Sequence, residues 1–162
     1  MPSPLIRAAT PEDLDRLTAL EHVSFASDRL TARSFRHFLA APTATLRVAV
    51  EAGRVAGYFL LLVRARSSVA RLYSIAVDAA ARGRGLASAL LDDAEAAARS
   101  RGANRLALEV RADNSGAIRL YERRGYVLVG RTPDYYEDGA EARRYQKHLS
   151  RTGADRPPPM DR

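Results

Sequence analysis

The chain has 162 residues, 46% hydrophobic and 28% charged, with a formal net charge of +7, which supplies one core and is too short for two. The absence of cysteine excludes disulfides, thiolate nucleophiles and cysteine-held clusters, and His22, His37 and His148 have no ligand spacing, so no metal is expected. All but one of the 26 basic residues are arginine, Lys147 being the exception, and their excess over acids is +3 in residues 1–81, +4 in 82–131 and 0 in 132–162; a field of that size suits a small polyanion, and no nucleic-acid partner is expected.

The opening MPSPLIRAAT lacks the basic-then-apolar order of a signal peptide, and no apolar run approaches the roughly 20 residues of a membrane span. The expectation is a cytoplasmic chain with no membrane partner, monomeric or homodimeric. Leu5 to Ala8 reads as a short strand. Thr10-Pro11-Glu12-Asp13 then starts a helix, with a capping threonine, a proline in the first turn and two acids at the positive end of the dipole. Leu14, Leu17, Leu20 and Phe25 recur at helical spacing, and Phe35, Phe38 and Leu39 mark a second helix from about Ala32 to Leu39. Leu46 to Glu51 and Arg54 to Val63 form a hairpin about Ala52-Gly53. Val69 to Asp78 is a third long strand, read as Leu72, Ser74 and Ala76 on one face and Tyr73, Ile75 and Val77 on the other.

Arg82-Gly83-Arg84-Gly85 follows, then a helix from about Leu86 to Ser100, buried along Leu86, Leu90, Ala94 and Ala97 and stopped by Gly102. Arg105 to Arg111 alternates, with Leu106, Leu108 and Val110 against Arg105, Ala107 and Glu109. Asn114 starts a helix with Ile118, Leu120 and Tyr121 that breaks at Gly125. Tyr126 to Val129 and Arg143 to Leu149 close the sheet. One domain over residues 1–149 is expected, with a disordered tail over 150–162 containing three consecutive prolines.

A glycine-rich turn between a strand and a helix N-terminus gathers unpaired backbone N–H groups around one point, where phosphate can bind. Gly83 and Gly85 clear the approach, Ala87 keeps the first helical turn small, and Arg82 and Arg84 add charge. Ser88 stands where a dinucleotide fingerprint needs its last glycine, and no Gly-Lys-Ser/Thr follows, which disfavours both a Rossmann cofactor and a P-loop.

The window DAAARGRGLASALL, Asp78 to Leu91, resembles the acyl-CoA loop of the GNAT superfamily of N-acyltransferases, with Arg82, Gly85 and Ala87 at its motif positions. LEVRADNSGAIRLYERRGY, Leu108 to Tyr126, is similar to that superfamily's second hallmark, most of all in the RimI-like branch of ribosomal-protein alanine N-acetyltransferases. The resemblance implies an α/β GNAT fold: a mixed, mostly antiparallel sheet with splayed middle strands flanked by about four helices. It implies acetyl-CoA as co-substrate, its pyrophosphate on the amides of Arg84, Gly85, Ala87, Ser88 and their neighbours, its pantetheine against Ile75 and Val77, with Asn114 also in contact. It implies Glu109 as general base and Tyr121 as general acid, and suggests that Tyr135-Tyr136 lies beside the acceptor. The backbone N–H of Val77 would polarise the thioester oxygen.

Acetyl transfer to an amine needs a base for the ammonium and a proton for the departing thiolate. Glu109 lies opposite Leu108 and Val110, and partial burial is expected to raise its pKa; the ordinary tyrosine value near 10 suits Tyr121 to a thiol leaving group. Without a cysteine, transfer is expected to be direct, in a ternary complex. A protein or peptide N-terminal amine is the favoured acceptor. The segment SFASDRLTARSFRHFL lacks the Pro-Trp pair usual in RimI-like sequences, so a small-molecule amine or lysine acetyltransferase stays open, as does a non-catalytic acyl-CoA-binding module.

Overall fold

The computed structural model describes residues 4–149; the tail expected over residues 150–162 lies outside the described residues. β1 (Leu5–Ala8) leads through a 3-10 turn (Pro11–Asp13) into α1 (Leu14–Ser24) and α2 (Ala32–Ala40). β2 (Ala44–Glu51), β3 (Arg54–Leu62) and β4 (Val69–Val77) follow, then a second 3-10 turn (Ala79–Ala81) and α3 (Leu86–Ser100). β5 (Arg105–Arg111), α4 (Ser115–Arg123), β6 (Val127–Thr132) and β7 (Ala142–His148) complete the fold. The seven strands form one sheet in the order β1-β2-β3-β4-β5-β7-β6, antiparallel throughout except where β4 meets β5. This is the mixed, mostly antiparallel sheet with four α-helices that the sequence led us to expect.

Local chemistry sets the boundaries. Thr31 accepts the Ser34 N–H at 3.1 Å to start α2, and Asn114 accepts that of Ala117 at 3.2 Å to start α4, each satisfying an orphan amide of a first turn. Ala52 and Gly53 both take positive φ, 51° and 75°, as a tight hairpin of the right twist requires. β4 and α3 both crowd Gly57, where a Cβ would lie 2.9 Å from the Ala76 carbonyl oxygen and 3.0 Å from Leu90 Cδ1.

Two hydrophobic layers flank the sheet. α3 and α4 cover one face with Leu90, Leu91, Ala94, Leu106, Leu108 and Tyr145, while α1 and α2 cover part of the other with Leu17, Leu20, Phe35, Val48, Tyr58 and Leu60. The buried stripe of α3 runs through Ala98, with Ala97 only half-buried, because Leu91 and Glu95 are buried too and, at about 3.6 residues per turn, shift the stripe to the side of Ala94 and Ala98. It also buries Glu95, which accepts from the Tyr126 hydroxyl at 2.9 Å and from Nζ of Lys147, the lone lysine, at 3.0 Å.

The alternation expected along β4 is corrected by a bulge. Leu60 pairs with Ser74 but Leu61 with Leu72, so Tyr73 is an extra residue, and everything after it changes face. Leu72, Ile75 and Val77 therefore share the α3 side, and Ala76 joins the α1–α2 side.

Candidate active site

The bulge coincides with the parting of the two central strands. β4 and β5 pair in parallel only from Val69↔Arg105 to Leu72↔Leu108; beyond that point β4 stays with β3 as far as Val77 and β5 follows β7 as far as Arg111. The gap opens into a cavity of about 820 Å³ lined by both strands, by Ser24 to Asp28 and Leu30 at and after the end of α1, by Asn114 and Tyr121, and by Tyr135 and Tyr136 of the loop between β6 and β7. Of the residues expected at a site, the cavity gathers Ile75, Glu109, Asn114, Tyr121, Tyr135 and Tyr136. Val77 and Arg82 to Ser88 lie outside its lining, at the end of β4 and the start of α3.

Leu106, Leu108 and Val110 are buried against α3 and α4, so Glu109 projects to the opposite face, towards the cavity. Arg71, one strand over, donates to its Oε1 at 3.2 Å and to the Tyr135 hydroxyl at 3.4 Å. Its other oxygen, Oε2, is buried without a hydrogen-bond partner among the described residues, an arrangement that leaves a carboxylate acceptor position for a donor yet to arrive. Glu109 is thus partly buried, 21% exposed over its side chain, and faces a guanidinium.

Tyr121 lies on the buried face of α4 with Ile118, 5.7 Å from the Tyr126 ring in an edge-on contact. Burial, assisted by Tyr136, pushes its hydroxyl well above the ordinary tyrosine value, so the match to a thiol leaving group expected from the unperturbed pKa is weaker. Such a hydroxyl stays protonated and acts as a donor. Burial, and then the charge of Glu109, push Tyr136 up to about 12. The same carboxylate, and then burial, raise Tyr135, whose hydroxyl accepts from Arg71.

Four contributors escaped sequence reasoning. Arg71 interrupts an apolar strand on the side that Glu109 faces, but only the parallel register brings the two together. Glu21 continues the Leu14, Leu17 stripe of α1 and is 2% exposed; it accepts from Leu30 N–H at 2.6 Å, from Ser74 Oγ at 3.2 Å and from the Tyr58 hydroxyl. These bonds tie α1, β3, β4 and the approach to α2 together beneath the cavity. Arg111 is neutralised by Asp138 (2.6 Å) and Asp113 (3.3 Å). Asp28, at φ 56°, accepts the Glu137 N–H at 3.2 Å and so joins the two loops across the mouth.

At the other end of the opening, Gly83 and Gly85 have φ 81° and 76°, with nothing within 4 Å of where a Cβ would sit. The first bond of α3 runs from Ala89 N–H to Gly85 C=O at 3.0 Å, and no amide from Gly83 to Ser88 donates to a carbonyl among the described residues. Bare backbone, unpaired amides and a 15-residue helix behind them fit a diphosphate. Arg84 reaches Glu51 at 3.4 Å and the Ala80 carbonyl at 2.8 Å. No helix among the described residues is long and apolar enough to cross a membrane.

Comparison with known proteins agrees with this geometry. The model of the acetyltransferase (GNAT) family matches residues 12–126. A Bacillus subtilis (strain 168) protein, provisionally named a ribosomal protein bS18-alanine N-acetyltransferase, is 30% identical over 136 residues, covering 84% of this chain and 89% of its own. An uncharacterized Mycobacterium leprae (strain TN) protein is 35% identical over 150 residues, covering 85% of this chain; the chain spans only 39% of that protein's length. The crystal structure of the ribosomal-protein-S18-alanine N-acetyltransferase from Escherichia coli superimposes with a TM-score of 0.81 at 27% identity, over 94% of this chain and 98% of that one. The chain belongs to the GNAT family, and is an acyltransferase with acetyl-CoA as its co-substrate.

Proposed function

We propose that the chain moves an acetyl group directly from acetyl-CoA to a primary amine, with the N-terminal amine of a peptide or protein as the favoured acceptor and Glu109 and Tyr121 as the catalytic pair. The observation that carries the reading is the unpartnered, buried Oε2 of Glu109 in the same cavity as Tyr121. Acetyl-CoA, when bound, supplies a thioester already activated for acyl transfer. The amides from Gly83 to Ser88 would hold its diphosphate, with the free edge of β4 at Ile75 and Val77 along the pantetheine. The N–H of Val77 would meet the thioester oxygen, and Asn114, while capping α4, would also touch the co-substrate.

An ammonium loses two protons in becoming an amide nitrogen. Glu109 Oε2 takes the first and passes it to solvent; the second replaces the proton that the Tyr121 hydroxyl gives to the departing sulfur, as the C–N bond forms and the C–S bond breaks. Tyr135 and Tyr136 form the aromatic wall beside the acceptor. The likeness to bS18-alanine acetyltransferases supports an N-terminal α-amine. The Asp28–Glu137 link across the mouth favours a second reading, a small amine. We also read residues 1–149 as one acetyltransferase domain acting in the cytoplasm.

Thiol release from acetyl-CoA, followed with free-amine peptides, N-terminally blocked peptides, polyamines and amino acids, tests this. Free-amine peptides should give the highest kcat/KM and blocked ones none. Glu109→Gln should lower kcat/KM by about 10²–10³-fold, a deficit that shrinks as rising pH supplies free amine, and Tyr121→Phe should lower kcat by about 10²-fold. Full activity in both variants overturns the assignment.

A further inference from the structure

We infer that the open face of β5, β7 and β6 beside the cavity binds the polypeptide that carries the amine, and selects one with acidic residues at its fourth and fifth positions. This rests on the peptide-acceptor reading above. The core built by α1 and α2 includes no residue of β5, β6 or β7, so no helix of that layer covers this half of the sheet. The register identifies what the face presents. Arg105 lies opposite His148, Ala107 opposite Gln146 and Glu109 opposite Arg144, and these pairs share a face because directly opposed antiparallel residues do. Val127, opposite Gln146 and 63% exposed, adds an apolar rim.

The charge along this strip changes sign. Near the cavity mouth stand Asp28, Glu137 and Asp138, with Arg111 already held by two carboxylates. Arg105, at the start of β5, and Arg144, level with Glu109 on β7, have no acidic partner within ion-pair distance among the described residues, whereas Arg71 has Glu109. Arg144 is laid across β6 by the absence of a side chain at Gly130, where a Cβ would collide with its guanidinium. The loop carrying Arg64 and Arg66 ends at the same place, since the Ser68 carbonyl accepts from the Asn104 and Arg105 amides at 2.8 and 3.2 Å. A peptide with its ammonium at Glu109 and its chain extended down β5 leaves the acids of the mouth behind it, passes Arg144 on β7 beside Glu109, and reaches Arg105 opposite His148. Arg105 precedes Glu109 by four residues, or about 13 Å at ~3.3 Å per residue, which sets the position of the complementary acids.

The test compares Ala-headed decapeptides carrying Asp or Glu, Gln, or Lys at positions four and five, with a tripeptide as control, in wild type and in Arg105→Ala/Arg144→Ala. Turnover is read beside fluorescence-polarisation binding of the same labelled decapeptides. The acidic peptide should show a KM about tenfold below the Gln peptide at low salt, an advantage that fades with salt and is lost in the double variant, with kcat and the tripeptide KM unchanged. Equal KM for all three peptides in wild type overturns the proposal while leaving the peptide-acceptor reading standing. Binding of the acidic peptide without turnover of any peptide sinks the acceptor reading and keeps the strip. Tight oligouridine binding that the double variant loses, with no acidic-peptide preference, reassigns the face to nucleic acid and overturns it.

Discussion

Asp13 accepts from both terminal guanidinium nitrogens of Arg7, at 2.8 and 3.0 Å, and from the Thr10 N–H at 2.8 Å, so one carboxylate ties β1 to the turn that opens α1. The Arg7 hydrogen bond, opposed by burial and helped by Thr10, holds its carboxyl below the usual aspartate range. A depressed native pKa stabilises the fold above the unfolded value, near 3.9, and that contribution disappears as pH falls through the native value. Asp13→Asn should therefore cost about 1 kcal/mol at about pH 6 and almost nothing once the wild-type carboxyl is protonated; urea denaturation at the two pH values measures the difference. At the other extreme of pH, the raised Tyr121 means that its ionisation should not set the alkaline limb of the rate profile below about pH 10.

The helix from Leu86 to Ser100 and the strand from Arg105 to Arg111 were legible to the residue, because unbroken periodicity ends at glycines with positive φ, Gly85 and Gly102. The facing of β4 was not. A bulge depends on how β3 and β4 pair, which no local pattern records, and Tyr73 looks like any other strand residue. For the same reason Glu109 could be placed on its face from Leu108 and Val110, whereas its partner Arg71, 38 residues away, depended on register. The hairpin between β2 and β3 is a local compromise: Ala52 sits at φ 51°, where a β-carbon is strained. Ala52→Asn would give the Asn-Gly pair this turn prefers, and should raise stability by about 0.5–1 kcal/mol, seen as a higher urea midpoint with an unchanged slope.

Across the whole molecule, a chain of net charge +7 keeps carboxylates at the mouth of its cavity and bare amides at the far end, so a cationic acceptor and an anionic co-substrate approach from different directions. The sheet is correspondingly two wings, β1 to β4 and β5 to β7, joined by the short parallel ladder from Val69 to Leu72 against Arg105 to Leu108 and by the overlying α3. A joint so narrow makes the co-substrate a structural member, since whatever fills the wedge braces both wings at once. Acetyl-CoA should therefore raise the melting temperature progressively, by the equivalent of about 2.7 kcal/mol at a hundred times its Kd. Amide hydrogen exchange should slow on both sides of the joint together, in Ile75 to Val77 and in Glu109 to Arg111, as the loaded enzyme stiffens into a single blade.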